Sequence, residues 1–284
     1  MTEKVPRISI VTPSFNHAAY IEEALLSVKK QNYPNVEHIV VDDGSKDNSV
    51  EILKRWASTP GWEHLRWTQE PHCGPSAARN KGFKLATGDV IGWLDDDDRY
   101  RPGCFRTVAE AFCNFREVDI LYGDSTWINQ SGGVLQIRRE IEFSHFVLRY
   151  HRVSYISTIA TFFRRRVIDE GNLIDERFDC ALDYEWFLRL AEKGYRFKHV
   201  PQLLGEYRWH PRSVSSSQAG KQRQEHEEIA LIYSPILRRL PMGLCRRLGL
   251  HALRTLAALL RYSEKLLRGY YFSQFRPSTL LKGQ

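Results

Sequence analysis

Neither of the glycine patterns that wrap phosphates, GxGxxG or GxxxxGK[ST], occurs in the sequence. Phosphate charge would therefore have to be met by side chains or a bound cation. No stretch of about 18 apolar residues runs without a charge, which argues against a spanning helix. The opening residues, MTEKVPRISIVTPSFN, hold no apolar segment of signal-peptide length, which argues against export. Cysteine is scarce and odd in number: Cys73, Cys104, Cys113, Cys180 and Cys245 make no CxxC pair. That pattern speaks against a disulfide framework or a zinc site and predicts reduced thiols in a cytosol. Acid is nearly missing from the C-terminal part. Residues 229–284 carry ten Lys or Arg against Glu264 alone, a net +9, which leaves residues 1–228 at −2 within a total of +7.

What is present is a core-forming composition: 42% hydrophobic and 12% aromatic over 284 residues, enough for one large domain with an appendage. RISIVT (7–12), EHIVVDD (37–43), HLRWTQE (64–70) and DVIGWL (89–94) read as strands. Helical patterns near 18–31, 48–57, 76–86 and 102–115 separate or follow them, with Ser45 or Asp47 placed to cap the second. Strands alternating with helices predict right-handed crossovers and an α/β, doubly wound, mostly parallel sheet. Beyond it, DILYGD, STWIN and GGVLQIRR read as short strands, ATFFRRRVIDE as a strand entering a helix, and residues 181–193 as an amphipathic helix. This second half is α+β in character, and the chain from about 220 is helical.

Open α/β sheets bind ligands along the carboxyl ends of their strands. Asp42, Asp43 and the run Asp95 to Asp98 all fall there. Four successive carboxylates at the end of a buried strand need a cation or hydrogen-bond donors to meet them. One reading is a site for Mg²⁺ or Mn²⁺ bridging to a diphosphate; the other is a solvated acidic turn before the helix that Pro102 opens. Asp42 and Asp43 leave a similar choice between an Asx-turn and a carboxylate that hydrogen-bonds a base or a ribose.

Four segments in order then carry a resemblance: SIVTPSFNHAAYIEEALLSVKKQNYPNVEHIVVDDGSKDNS, GPSAARNKGFKLATGDVIGWLDDDD, LDYEWFLRLAEKG and YRWHPRSVS. Over roughly residues 7 to 217 the chain resembles family-2 glycosyltransferases of the GT-A fold. The resemblance implies transfer of a sugar from a nucleoside diphosphate sugar to an acceptor hydroxyl, with inversion and with Mn²⁺ or Mg²⁺ on the diphosphate. Uridine is the favoured base, and cell-surface polysaccharide or glycolipid synthesis the expected setting. Carried over by position, Thr12, Pro13, Phe15 and Asn16 would line the base, with Asp43 reading it and Asp42 beside it. Gly74, Arg79 and Asn80 would lie by the nucleotide, or else serve helix start and packing. Asp97 would hold the metal, and Asp95 or Asp96 would face ribose and sugar. Asp183, at the entrance of the 181–193 helix, matches the family's base, although a plain helix cap is its alternative. Leu182 stands where many relatives have Glu, so the site has one acid; Glu185 would be a poorer base that contacts donor or acceptor. His210 would contact metal or diphosphate, helped by Arg212 and Ser215. The Q-x-x-R-W motif of processive members is missing, so a single transfer per encounter is expected.

Arg247, Arg254, Arg261 and Arg268 recur every seven residues beside many leucines, ahead of Tyr270, Tyr271 and Phe272. On a helix this stripe suits an anionic membrane surface, peripheral on a cytoplasmic face and near a lipid-linked acceptor. The competing readings are a helix packed on the catalytic domain or on a second subunit. No nucleic-acid motif accompanies the basic residues. Division of the chain into a catalytic domain, 1–217, and a basic tail, 218–284, follows. Two rival functions remain open, a catalytically silent sugar-nucleotide-binding or scaffold protein and a nucleotidyltransferase; the latter lacks its glycine-rich loop between Thr12 and His17.

Overall fold

Ile8–Ser14 (β1) is a run of apolar and β-branched residues buried along its whole length, the pattern of a central parallel strand covered on both faces. Val36–Asp42 (β2) and Val90–Trp93 (β4) pair with it in parallel on either side, and Leu65–Gln69 (β3) extends the sheet beyond β2. A computed structural model describes residues 5–211, 213, 217–234, 239 and 243–273. Its single sheet has the order β3-β2-β1-β4-β8-β6-β9-β5. Here β5 is Arg99–Tyr100, β6 Ile120–Ile128, β8 Thr161–Arg164 and β9 Phe197–Arg208; Val134–Arg138 (β7) pairs with β6 off that path. The first half, β3 to β4, is wholly parallel. The second half is mixed, because β8 runs antiparallel to both β4 and β6, while β6 and β9 are parallel.

Helices cover both faces. Ile21–Lys29 (α1) and Cys104–Asn114 (α4) build one core around Ala24, Val28, Phe105 and Phe162. Pro75–Leu85 (α3), His145–His151 (α5) and Leu182–Glu192 (α7) build the other around Phe83, Trp93, Phe163 and Trp186. Ser49–Ala57 (α2) closes the edge beside β3. The buried stripe of α1 includes Ile21, Ala24, Leu25 and Val28, and each buried Ile, Leu or Val there contributes about 1.5–3 kcal/mol. At Gly82 a Cβ would lie 2.3 Å from Cγ1 of Val11; glycine lets α3 settle directly on β1. Arg166–Asp169 (α6) is a single turn after β8.

Three departures from the sequence reading have physical causes. STWIN is not a separate strand, because β6 runs unbroken from Ile120 to Ile128. Strand β9 is 12 residues long although it contains Pro201 and Gly205, and its pairing with β6 shifts register at Gly123/Asp124 and Asp124/Ser125 to absorb them. Tyr207 and Arg208 therefore end a strand instead of lying in a loop.

The basic segment also differs from its expected form. Ala219–Ile232 (α8) packs on α7, with Ile229 fully buried in the main core and Glu225 accepting from the backbone N–H of Cys180 and Ala181. Leu244–Leu267 (α9) lies along α5, and Tyr270–Ser273 (α10) follows. The arginine stripe does not face outward as one surface. Arg261 is buried in a bidentate pair with Glu140, and Arg268 pairs with Glu264, because these two turn toward the rest of the fold. Arg247 and Arg254 are exposed. Among the described residues no helix is long and apolar enough to cross a membrane, and Cys73, Cys104, Cys113 and Cys180 are free thiols.

Candidate active site

Strands β2, β1 and β4 end side by side, and the loops leaving them meet above the sheet. Asn16, in the left-handed region at φ 57°, donates its N–H to Oγ of Ser45 (2.9 Å) and accepts from the N–H of Lys46 at Oδ1 (2.7 Å). Asparagine tolerates that conformation, and here it ties the β1 loop to the β2 loop. Asp47 completes the tie by accepting from the N–H of Ala18 and Ser49. Phe15 is half-exposed and stacks on His72 at 4.4 Å between centroids. Thr12 departs from its expected place. Its hydroxyl is buried in the sheet against His38 Nε2 (2.9 Å), and Pro13 is buried beside it, so only Phe15 and Asn16 of that set reach the loop surface.

Asp42 and Asp43 take different tasks. Asp42 accepts from the N–H of Ser45 in an Asx-turn, and its Oδ2 is buried with no protein partner. Asp43 accepts from the N–H of Cys73 (2.7 Å) and Gly74 (3.0 Å) and pairs with His72 (2.8 Å). It thereby fixes the turn into α3, where Gly74 adopts φ 93°, a conformation that glycine takes without strain. Asn80 is spent on packing, exchanging hydrogen bonds with the backbone of Ile174.

The aspartate run divides four ways. Asp95 accepts from Nη2 of Arg79 (2.5 Å) and Nε1 of Trp93 (2.9 Å). Asp96 accepts from the N–H of Phe15 and bonds Nδ1 of His17 at 2.7 Å. Asp97 bonds Nε2 of His210 at 2.9 Å. Asp98 accepts from the N–H of Arg208 (2.7 Å), and its Oδ2 is buried without a partner. Burial, joined by repulsion from Asp97 and Asp95, pushes the Asp98 carboxyl well above the ordinary range. Burial also raises Asp96, offset in part by His17. Buried Arg208 buttresses the run, donating to the Asp97 carbonyl and pairing with Glu23. Arg79 sits 4.7 Å over the Trp93 ring with its Nε and Nη1 buried and unpartnered among the described residues.

The ligand atoms of His17, Asp97 and His210 lie within 4.8 Å of one another. His17 was not singled out in the sequence; its one signal is position, in the turn that follows β1 on the ligand edge. Its Nδ1 is held by Asp96, which leaves Nε2 for a cation in the carboxylate–histidine–metal arrangement. Burial pulls the His17 pKa down, but the hydrogen bond and charge of Asp96, with Asp97 and Asp95, outweigh it and raise the value to about 9. Two imidazole nitrogens and a carboxylate suit Mn²⁺ better than Mg²⁺, which prefers oxygen alone.

Asp183 stands in the first turn of α7 and accepts from Oγ of Ser154 at 2.8 Å. Burial raises its pKa, with His226 and Ser154 opposing. Among the described residues it makes no hydrogen bond to the aspartate run. Glu185 is not available to a substrate: it is buried, bonded twice by Arg189 and once by the Tyr233 hydroxyl. Arg212 and Ser215 lie outside the described residues.

A loop-edge acid cluster on a half-parallel, doubly wound sheet defines a GT-A fold, and solved structures share it. TarS of S. aureus, residues 1–349 in complex with UDP-GlcNAc, superposes with a TM-score of 0.67 at 20% identity, over 89% of this chain and 72% of that one. A mannosyltransferase of Pyrobaculum calidifontis, PcManGT, in complex with GDP-Man and Mn²⁺, gives 0.63 at 21% identity, over 89% and 70%. The family model described as "Glycosyl transferase family 2" matches residues 9–172, more than half of the chain, and the chain belongs to that family. Among curated relatives, the hyaluronan synthase of Pasteurella multocida is 29% identical over 228 residues. That match takes in 78% of this chain but only 22% of the synthase.

Proposed function

We propose that this chain is an inverting glycosyltransferase that moves a sugar from a nucleoside diphosphate sugar, with UDP favoured, to a saccharide or lipid-linked saccharide hydroxyl in polysaccharide or glycolipid synthesis. The observation that carries the reading is the convergence of His17, Asp97 and His210 at the carboxyl edge of the parallel half. A divalent cation held there would supply Lewis-acid stabilisation of the leaving diphosphate. Phe15 offers a stacking face to a base, and the unpartnered Nε and Nη1 of Arg79 offer donors to a ribose or diphosphate oxygen. Asp183 takes the proton of the attacking hydroxyl; a raised pKa strengthens it as a base and keeps it ionised only above the usual carboxylate range. UDP as the donor nucleotide is supported by the TarS complex, and the metal by the PcManGT complex. The silent-scaffold reading is opposed by the intact trio and by Asp183.

The test is thermal unfolding with UDP, GDP or dTDP, each with Mn²⁺ or with EDTA. UDP with Mn²⁺ should raise the Tm most, and EDTA should weaken UDP binding at least about tenfold, or about 1.4 kcal/mol. Equal shifts with metal and with EDTA would remove the role given to Asp97 and His210. No shift with any nucleotide would remove the transferase reading.

A further inference from the structure

Helix α7 carries the proposed base, yet its own N-cap residue does not close its first turn: Ala181 has no side chain that can accept a hydrogen bond. The turn before the helix is gripped from α8 instead. Gln218, Lys221, Gln222 and Glu225 follow the i, i+3, i+4, i+7 spacing of one helix face, and all four meet the three residues Asp179 to Ala181. The Cys180 thiol donates to Oε1 of Gln218 (3.3 Å), and Nε2 of Gln222 donates to the Cys180 carbonyl (3.1 Å). Lys221 pairs with Asp179. At the centre, Oε2 of Glu225 accepts from the N–H of Cys180 (2.9 Å) and of Ala181 (2.8 Å).

Glu225 is only 7% exposed, and the half-exposed Lys221 stands 3.9 Å from it. A carboxylate buried in this way is costly unless donors meet it; here two consecutive backbone N–H groups do, at the helix end where negative charge is favoured. A Ser or Asp at position 181 would cap α7 as well from within its own turn. A cap supplied from 44 residues further along the chain does something more: it fixes where α7 begins relative to α8. Asp183 follows Ala181 by two residues, and its carboxylate is held from the other side by Oγ of Ser154 at 2.8 Å.

We propose that Glu225 is a positioning residue, which by fixing Cys180 and Ala181 sets the place of the Asp183 carboxylate. The consequence for the reaction rests on the glycosyltransferase reading. A base acts only within about 2.6–3.2 Å of the proton it takes, and a misplacement of about 1 Å costs on the order of 10²-fold in rate. The catalytic unit then runs past residue 217 and includes α8.

The experiment sets Glu225→Ala and Glu225→Gln beside the unchanged chain and Val108→Ala. Val108 is buried under α4 in the core of the other sheet face, so its variant controls for loss of stability alone. Amide hydrogen exchange at residues 179–185 should quicken at least about tenfold in Glu225→Ala, beyond any change in the rest of the chain. Glu225→Gln should stay near the unchanged rate, because its amide oxygen can take the place of Oε2. The second readout is release of UDP from UDP-GlcNAc or UDP-glucose with Mn²⁺ and water as acceptor: water oxygen bonds the anomeric carbon, the bond to UDP breaks and the proton passes to Asp183. In Glu225→Ala kcat should fall about tenfold or more with the donor KM nearly unchanged, Glu225→Gln should restore most of it, and Val108→Ala should lower Tm but not kcat. If Glu225→Ala does not fold, Glu225→Asp, one methylene shorter, takes its place with the same outcomes. Unchanged exchange at 179–185, or equal losses of kcat in Glu225→Ala and Val108→Ala, overturns the inference. Absence of UDP release by the unchanged chain would strike the proposed function, and the exchange rates would still decide whether Glu225 sets the start of α7.

Discussion

Two of the clusters in which the molecule buries carboxylates are treated in opposite ways. Under α9, one carboxylate is surrounded by cations: Glu140 accepts from Nη2 of Arg261 at both oxygens (2.8 Å) and from its Nε (3.3 Å), with Lys265 at 2.9 Å and Arg138 at 3.8 Å. At the sheet edge, four successive carboxylates face His17, Arg79, Arg208 and His210. The first cluster closes on itself. Its surplus of positive charge shows in two depressed bases: burial, opposed by Glu140, brings Lys265 down to about 8, and burial beside Arg261 and Arg254 brings His151 down to about 4. The second stays open, with Oδ2 of Asp98 and Oδ2 of Asp42 unsatisfied among the described residues, along with Nε and Nη1 of Arg79. A buried network with every group paired is architecture. One with orphans of both signs, beside three potential ligand atoms within 4.8 Å of one another, is left incomplete by the protein alone.

If that contrast is right, damage to the closed cluster should cost stability and spare nucleotide binding. Glu140→Gln leaves Arg261 and Lys265 buried without their counter-charge, a loss of about 3–5 kcal/mol. The expected outcome is a lower Tm with release of α9 to proteolysis, while the UDP thermal shift of the folded protein persists. Loss of nucleotide binding in a variant that still folds would tie the two clusters together and break the comparison.

Damage at the open site should do the reverse. Asp183→Asn keeps the shape and the bond to Ser154 but removes the base, so transfer should fall by about 10²-fold or more, at least about 2.7 kcal/mol of barrier, with donor affinity and Tm nearly unchanged. The sign of the pH dependence follows from the raised pKa. The group is protonated and inactive at low pH, so the acid limb of kcat in the unchanged enzyme should lie above the usual carboxylate range. A parallel loss of donor binding and stability would make Asp183 a helix cap.

This contrast also marks what the sequence made legible. The parallel half could be read because β1, β2 and β4 are short runs rich in apolar and β-branched residues, two of them leading into acids, a local signal. Asp97 and His210 were expected to act together through a resemblance, and β9, ending at Arg208, brings them within 2.9 Å of each other. His17 escaped because a lone histidine in a turn has no pattern to distinguish it. The stripe of arginines fixed which residues share a helix face, but not which face meets the body; that depends on Glu140, 121 residues before Arg261. Helix α5 and strand β9 were missed for a related reason. The first is 7 residues long, and the second holds a proline that only its register shifts with β6 can accommodate.

The smallest effect tests whether the closed cluster is over-supplied with cations. Arg261 already bonds both oxygens of Glu140, so Lys265 adds a charge that the buried site does not need. Its pKa is about 8 in the folded chain against 10.5 for the ordinary group. Below pH 8 the lysine is charged in both states, and burial penalises the folded one. Between about pH 8 and 10.5 the unfolded chain keeps a proton that the folded chain has released, so this group makes stability rise with pH across that window. Lys265→Met removes the penalty and keeps much of the packing of the stem. Its stability at pH 7, and with it its Tm, should therefore equal or exceed that of the unchanged protein, by up to about 1 kcal/mol of unfolding free energy, and the advantage should shrink toward pH 10. Parallel thermal scans of the two proteins across that range measure the difference directly. A variant several degrees less stable at pH 7 would mean that Glu140 needs both cations, and that the closed cluster, like the open one, was short of a partner.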